Sequence, residues 1–234
     1  MNGCVSALSA GLRKAYPFKT ELHAHTFPAS KCSSVSPEEL CRKYAGLGYS
    51  ALCVTNHFSS GMKPSVAEWL SDLERAAAEG ERLGLTVIPG VEVRLDNDGN
   101  HYLLYGVDPE DMPEVFGSLG LSIREFSEKW RGEGRFFCHA HPFRPGLTHA
   151  DFSLFDGVEA FNVHPDENSR VALAAETAHR LPIRLTAGTD CHEYGHGGLS
   201  ALRSAFAPKT GADIAGILKS GDYLLEIGGS IIIP

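Results

Sequence analysis

Short apolar runs alternate with longer helical stretches along almost the whole chain, and this alternation restricts the fold more than any other feature. Strand-like runs stand at Phe18 to His23, Ala51 to Thr55, Leu85 to Val93, His101 to Val107, Phe136 to His139, Gly157 to Phe161, Ile183 to Thr186 and Tyr223 to Ile227. Between them lie helical patterns. Ser36-Pro37-Glu38-Glu39 reads as a helix start, with Ser36 as N-cap, Pro37 in the first turn and Glu39 completing a capping box. Leu40, Tyr44 and Leu47 mark the buried face of that helix, and Gly46 and Gly48 end it. Val66 to Leu83 reads as a longer helix with Trp69, Leu70, Leu73, Ala77 and Leu83 on one side. Ser122 to Trp130, Asn168 to His179 and Gly211 to Lys219 complete the set. Strands separated by such helices pair in parallel through right-handed crossovers. About seven of them fit a (β/α) barrel better than an open sheet, although periodicity does not settle closure. No repeat, linker or low-complexity tract interrupts the chain, so residues 1–234 read as one domain with residues 1–16 as an N-terminal extension.

Composition narrows the partners. The net charge is -8 and the pI near 5.7, which argues against a surface that grips nucleic acid through massed Lys and Arg. A small anionic substrate stays compatible, because bound divalent ions would add positive charge where carboxylates gather. The six cysteines form no C-x-x-C pair, so a zinc ribbon or thioredoxin-type motif is unsupported. They read as free thiols in a reducing compartment. Met1 to Tyr16 lacks an apolar core of signal-peptide type, and no stretch approaches the ~20 apolar residues of a membrane span. The expectation is a cytoplasmic protein with no membrane contact.

The chemistry-bearing residues sit at strand ends. His23 and His25 follow the first strand, Asn56 and His57 the second, and Glu92 ends the third. His139 and His141 end the strand at Phe136, and Asp190 and His192 follow the strand at Ile183. His101 is the exception, because it opens its strand. In a parallel barrel the C-terminal strand ends converge on one rim, where such folds place their chemistry. An H-x-H pair on extended chain puts both imidazoles on one side. Taken singly, a lone His or a buried Glu is more often structural. Together, so many imidazoles and acids would be costly to bury without a cation. Imidazole-rich sets favour Zn, Mn or Fe over Mg or Ca.

At these residues the sequence resembles the PHP family, named for polymerase and histidinol phosphatase proteins. His-Ala-His-Thr at 23–26, Thr-Asn-His at 55–57, Gly-Val-Glu at 90–92, Ala-His-Pro at 140–142 and Gly-Thr-Asp-Cys-His at 188–192 follow the family's order. The resemblance covers about Phe18 to Ile227. It implies a distorted seven-stranded (β/α) barrel, TIM-barrel-like, with two or three divalent metal ions at the C-terminal rim. His23, His25, Glu92 and Asp190 would hold one metal. Glu92 would bridge to a second shared with His101 and His141, and His57 and His192 would serve a third. His139 and the Glu159-x-x-Asn162 segment are expected to pack and hydrogen-bond, and His149, His164, His179 and His196 to occupy surface or loop positions. Two departures stand out. Asn56 replaces a frequent Asp, and Lys31 stands where many members place a His or Asp. A charged ammonium cannot ligate a metal. The third site is therefore expected to be weak or vacant, with Lys31 offering its charge to a phosphate and Cys32 as the lesser substitute ligand.

The resemblance implies hydrolysis of small phosphate esters by a metal-activated hydroxide. Arg144, in the run His141 to Arg144, is placed to hold a phosphate, with a surface salt bridge as its alternative. His192, if free of metal, is placed to protonate the leaving group. Three other functions compete. An amidohydrolase-type hydrolase could use the same metals, an exonuclease is disfavoured by the acidic balance, and a silent regulatory domain would have lost ligands.

Overall fold

The computed structural model describes residues 2–61 and 65–234. Its elements in chain order begin with α1 (Asn2–Ala15), β1 (Phe18–Glu21), α2 (Pro37–Gly46), β2 (Ala51–Val54), β3 (His57–Phe58) and α3 (Val66–Leu83). They continue with β4 (Thr86–Val93), β5 (Tyr102–Tyr105), α4 (Met112–Gly117), α5 (Ile123–Trp130), β6 (Phe136–His139) and β7 (Gly157–Asn162). The last are α6 (Val171–Arg180), β8 (Arg184–Gly188), β9 (Ser200–Ser204), α7 (Gly211–Ser220), β10 (Leu224–Ile227) and β11 (Ser230–Ile232).

The local signals read from sequence act as expected. Ser36 accepts from the Glu39 amide while the Glu39 carboxylate takes the Ser36 amide, so two orphan donors of α2 are satisfied reciprocally. The same box starts α3 at Ser65 and Glu68 and α5 at Ser122 and Glu125. The buried face of α3 is Trp69, Leu73 and Ala76; Ala77 lies one position off and faces solvent, as does Leu47 beyond α2. The extension ahead of β1 is the helix α1, whose Arg13 reaches the Gly229 carbonyl between β10 and β11.

The strands form one curled mixed sheet in the order β11-β10-β9-β1-β2-β4-β5-β6-β7-β8, with β3 alongside β4. A lone parallel bridge, Ala24 to Cys191, ties the chain after β1 to the chain after β8. The expected repeat of seven parallel strand–helix units is corrected here. β5 runs antiparallel to both β4 and β6, and β9, β10 and β11 form an antiparallel flap on the far edge of β1. The reason is connection length. Only residues 94–101 link β4 to β5, too few for a crossover helix of a dozen or more residues, so the chain must turn back as a hairpin.

Strand alternation then sorts the core into two layers. Leu52, Val54, Val91, Val93, Tyr102, Leu104 and Phe137 face outward and pack with Leu40, Tyr44, Trp69 and Trp130 of the covering helices. Ala51, Cys53, Ile88, Leu103, Tyr105, Phe136 and Cys138 face inward and meet Ile214, Ala215 and Leu218 of α7. Helix α7 touches β4, β5, β6 and β8, so it closes one end of the inner face and leaves the other for polar groups. No helix among the described residues is long and apolar enough to cross a membrane.

Trp69 is fully buried on α3 and lies 5.8 Å from the Phe58 ring. Trp69→Ala should cost about 3–5 kcal/mol through the cavity it leaves. Urea unfolding that shifted by less than a third of that would show the outer layer to be loosely packed.

Candidate metal centre

Six segments converge because the chain passes one rim at each of them, after β1, at β3, at the end of β4, before β5, after β6 and after β8. Glu92 closes β4, and its phase with Ile88 and Gly90 turns it inward. His57 opposes Glu92 in the β3–β4 register. His101 precedes Tyr102, and because β5 is antiparallel its start lies at the rim where its parallel neighbours end. His101 is in phase with Leu103 and Tyr105, so it too faces inward. His139 is in phase with Phe137 instead, and it packs outward against Tyr102 and Phe155, donating its Nδ1–H to the Ala140 carbonyl. Burial pushes its imidazole down to about 3. It has no part in the site.

Glu92 is the hub. Its Oε1 lies 3.1 Å from His101 Nδ1 and 3.0 Å from His141 Nε2. Its Oε2 lies 2.8 Å from His57 Nδ1, 3.3 Å from His25 Nε2 and 3.4 Å from His23 Nε2, yet it hydrogen-bonds to none of them. Asp190 Oδ1 stands 3.4 Å from His23 Nε2 and 3.2 Å from His25 Nε2. His23, His25, Glu92 and Asp190 thus form one group whose nitrogen and oxygen atoms all lie within 4.8 Å of one another. His57, Glu92 and His101 form a second, and His25, His57 and His192 a third. His141 joins the second through Glu92 and meets the His101 ring edge to face.

The surrounding bonds aim these lone pairs inward. Glu159 Oε1 sits 2.8 Å from His23 Nδ1, and an ionised carboxylate can only accept, so Nδ1 carries the proton and Nε2 is left pointing at Glu92 and Asp190. Ser30 gives its hydroxyl proton to Asn56 Oδ1 and therefore accepts from His25 Nδ1, which frees His25 Nε2 in the same way. His23 Nε2 has no hydrogen-bond partner. A nitrogen lone pair facing two carboxylate oxygens is repelled unless positive charge lies between them. These orphaned atoms fit a cation.

The electrostatics agree. Burial opposes ionisation of Glu92, but His57, His23 and His101 hold its carboxyl well below the usual range. Burial likewise opposes Asp190, and His23 and His25 bring it well below. Burial, reinforced by His57 and His192, keeps His25 neutral, the form that ligates. Burial opposes the His23 imidazolium too, yet Glu159, Asp190 and Glu92 raise it well above the ordinary value, so a proton and a metal compete for the same nitrogen. Two of the rim residues adopt left-handed backbone, His141 at φ 25° and Asp190 at φ 55°, a conformation that non-glycine side chains hold only when their surroundings demand it.

One supporting residue, Glu21, carried no sequence signal of its own. Glu21 is wholly buried and accepts from the Leu22, His23 and Thr189 amides and the Thr189 and Tyr44 hydroxyls, binding the two strand ends that carry His23 and Asp190. Burial raises its carboxyl despite these donors. Asn56 does not face the cluster. It accepts from the Thr26 amide and donates to the Thr26 hydroxyl, locking the loop after His25. The Glu159-x-x-Asn162 segment hydrogen-bonds as expected, with Glu159 Oε2 taking the His141 amide and the Asn162 side chain.

A cavity of about 410 Å³ opens over the cluster, and its lining includes Arg94, Arg144, His164, Asp166, Glu193 and His196. Arg144 Nη2 reaches Asp190 Oδ2 at 2.7 Å and Asn162 Oδ1 at 2.9 Å, while its buried Nε makes no hydrogen bond. His192 lines the cavity with its Nδ1 at 2.8 Å from the Asp190 carbonyl. Lys31 is corrected: it pairs with Glu68 at 3.2 Å, lies over the Phe27 ring and lines no part of the cavity. Cys32, one residue on, takes the place instead. Burial opposes its thiolate, but contacts with His192 and His57 bring it down to about 6. His164 and His196, expected at the surface, are also in the wall.

A family model, the PHP domain, matches residues 21–141. No curated protein matches the sequence. Among solved structures, a two-domain protein from Bacteroides vulgatus containing a predicted PHP-like metal-dependent phosphoesterase superposes with a TM-score of 0.62 at 15% identity over 90% of this chain. The chain spans only 64% of that protein's length. A protein from Bifidobacterium adolescentis assigned as a metal-dependent phosphoesterase gives 0.53 at 16% identity, covering 75% of this chain and 88% of its own. PsfC from Pseudomonas syringae gives 0.55 at 19% identity, covering 80% and 81%. At these identities the likeness is one of fold.

Gly188 stands where an added Cβ would press on the Glu159 carboxylate and lie 2.5 Å from His23 Cβ. Gly188→Ala and Glu159→Gln should each weaken Zn2+ binding about 10–100-fold by misaiming His23. Calorimetric titration of the stripped proteins checks this, and unchanged affinity in both variants would mean that His23 is not held by this contact.

Proposed function

Because the chain belongs to the PHP family, we propose that it is a metal-dependent phosphoesterase acting on small phosphate esters. The observation that carries the reading is the pair of unpartnered buried atoms, His23 Nε2 and Glu92 Oε2, facing one another 3.4 Å apart among four further imidazoles. His23, His25, Glu92 and Asp190 would hold one divalent ion, and Glu92, His101, His141 and His57 a second. His57 and His192 would serve a third, with Cys32 beside them. The donor set fits Zn, Mn or Fe better than Mg. When bound, such ions lower the pKa of water to near neutrality and neutralise phosphoryl charge.

The protein's own groups complete the chemistry. Arg144 is fixed through Nη2 to Asp190 and Asn162, and its guanidinium lines the cavity, where it would hold a phosphoryl oxygen. Asp190 is thereby shared between the cluster and the guanidinium, so substrate position and cluster geometry are coupled. Arg94 adds a second guanidinium at the wall. His192 donates Nδ1–H to the Asp190 carbonyl, and when no third ion is bound its other nitrogen is placed to pass a proton to the oxygen that leaves phosphorus. A cavity of about 410 Å³ suits a small molecule better than a polymer track.

Activity on aryl phosphate mono- and diesters should vanish with chelator and return with Zn2+ or Mn2+. Glu92→Gln should lower kcat at least about a hundredfold, as loss of a shared ligand demands. Arg144→Lys should act mainly on KM, raising it about tenfold, because an ammonium cannot reproduce the fork. Chelator-insensitive turnover, or cleavage of amides with no phosphate ester accepted, would overturn the proposal.

A further inference from the structure

We infer a separate divalent-cation site at the lip of the cavity, built from His164, Asp166 and His196. None of the three belongs to the motifs of the central cluster. His164 and Asp166 lie in the loop between β7 and α6, and His196 in the loop between β8 and β9. The fold nevertheless brings them together: one ligand atom from each lies within 4.8 Å of the others. His196 Nε2 is 3.1 Å from Asp166 Oδ2, and the His164 and His196 rings meet edge to face at 4.8 Å.

An ion pair between His196 and Asp166 accounts for only part of this. His196 is 8% exposed and its Nδ1 is buried without a hydrogen-bond partner, an expensive arrangement for a histidine kept merely for a surface contact. The ion pair also leaves His164 unexplained. That ring accepts the Asp166 amide at Nδ1, 3.2 Å away, so Nδ1 carries no proton, and a cation bound there would take the place of this hydrogen bond. The surroundings are acidic as well. Glu193 Oε2 stands 3.8 Å from His196 Nε2, and Glu167 lines the same wall. Two imidazoles and a carboxylate, with further carboxylates near, attract a borderline ion such as Zn2+.

The geometry needs little adjustment. Zinc bonds of ~2.0–2.1 Å place tetrahedral ligand atoms about 3.4 Å apart. Closing a spacing of at most 4.8 Å takes no more than about 1.4 Å, and the Asp166 side chain is 74% exposed. Three protein ligands leave a position open, and all three residues line the cavity, so that position is available to an oxygen of the substrate remote from the reacting phosphorus. The ion would also pin the two loops that frame the mouth. The His164 and His192 rings are 5.5 Å apart, so this site adjoins the central cluster while its three ligand atoms form a separate group.

The test counts Zn2+ by elemental analysis and calorimetry on chelator-stripped protein reloaded with the metal alone. Asp166→Asn, at an exposed position that does not threaten folding, should lose one equivalent and keep the rest. Glu92→Gln should show the reverse, keeping the lip equivalent while losing central ones. His164→Ala serves as a second variant and should match Asp166→Asn. Wild-type stoichiometry and affinity in both Asp166→Asn and His164→Ala would overturn the lip site. Failure of the central reading looks different, because Glu92→Gln would then bind as wild type does whatever the lip variants show.

Discussion

Burying Glu92 and Asp190 side by side is the constraint around which the rest of this structure is arranged. Two carboxylates with almost no exposure and a shared set of imidazoles would be strongly unfavourable in a dry interior unless positive charge compensates them. The protein supplies part of that charge through Arg144 on Asp190. It leaves the other part to whatever occupies the point where His23 Nε2, His25 Nε2, Glu92 Oε2 and Asp190 Oδ1 converge. The left-handed backbone at His141 and Asp190 belongs to the same account, since strain of about 1–3 kcal/mol per residue persists only where surrounding contacts fix it.

Around the cluster runs a shell of groups that aim it. Glu159 sets the proton on His23, Ser30 and Asn56 set it on His25, and the Asp190 carbonyl holds His192. Glu21 binds the amides of two separate strand ends, so the positions of His23 and Asp190 are coupled through one buried carboxylate. Rigidity here matters chemically. Ligand atoms misplaced by a fraction of an ångström lose metal affinity, and the hydrogen bonds that prevent this are numerous and buried.

The cavity above mixes charges. The Arg94 and Arg144 guanidinium groups share its lining with His164, Asp166, Glu193 and His196, and Arg144 Nε stands 4.0 Å from Glu167. The guanidinium groups are the partners this lining offers to an anionic ligand. A cation held at the lip would change the balance and let a second oxygen-rich group bind there. The net charge of the whole chain says nothing about this, because the relevant field is set within one cavity.

Sequence alone marked the longer strands and helices and the reactive residues of the central cluster, but not α1, β3, α4, β9 or β11. Capping boxes at Ser36 and Ser122, the periodicity of α3 and the inward phase of Glu92 are local properties, written in spacing of a few residues. The ordered His, Glu and Asp motifs were equally legible, and their phase could have separated His101 from His139. Tertiary structure decided what spacing cannot carry. The short β4–β5 link turned an expected parallel strand around, and that reversal is what delivers His101 to the rim. A shift of one residue in the loop after His25 exchanged Lys31 for Cys32 at the cavity, because loop conformation depends on contacts from distant strands. His164 and His196 joined the wall for the same reason: loops 163–170 and 189–199 meet only once β7 and β8 pair. Local interactions choose helix, strand and cap, whereas proximity across the sheet is set by packing of the whole chain.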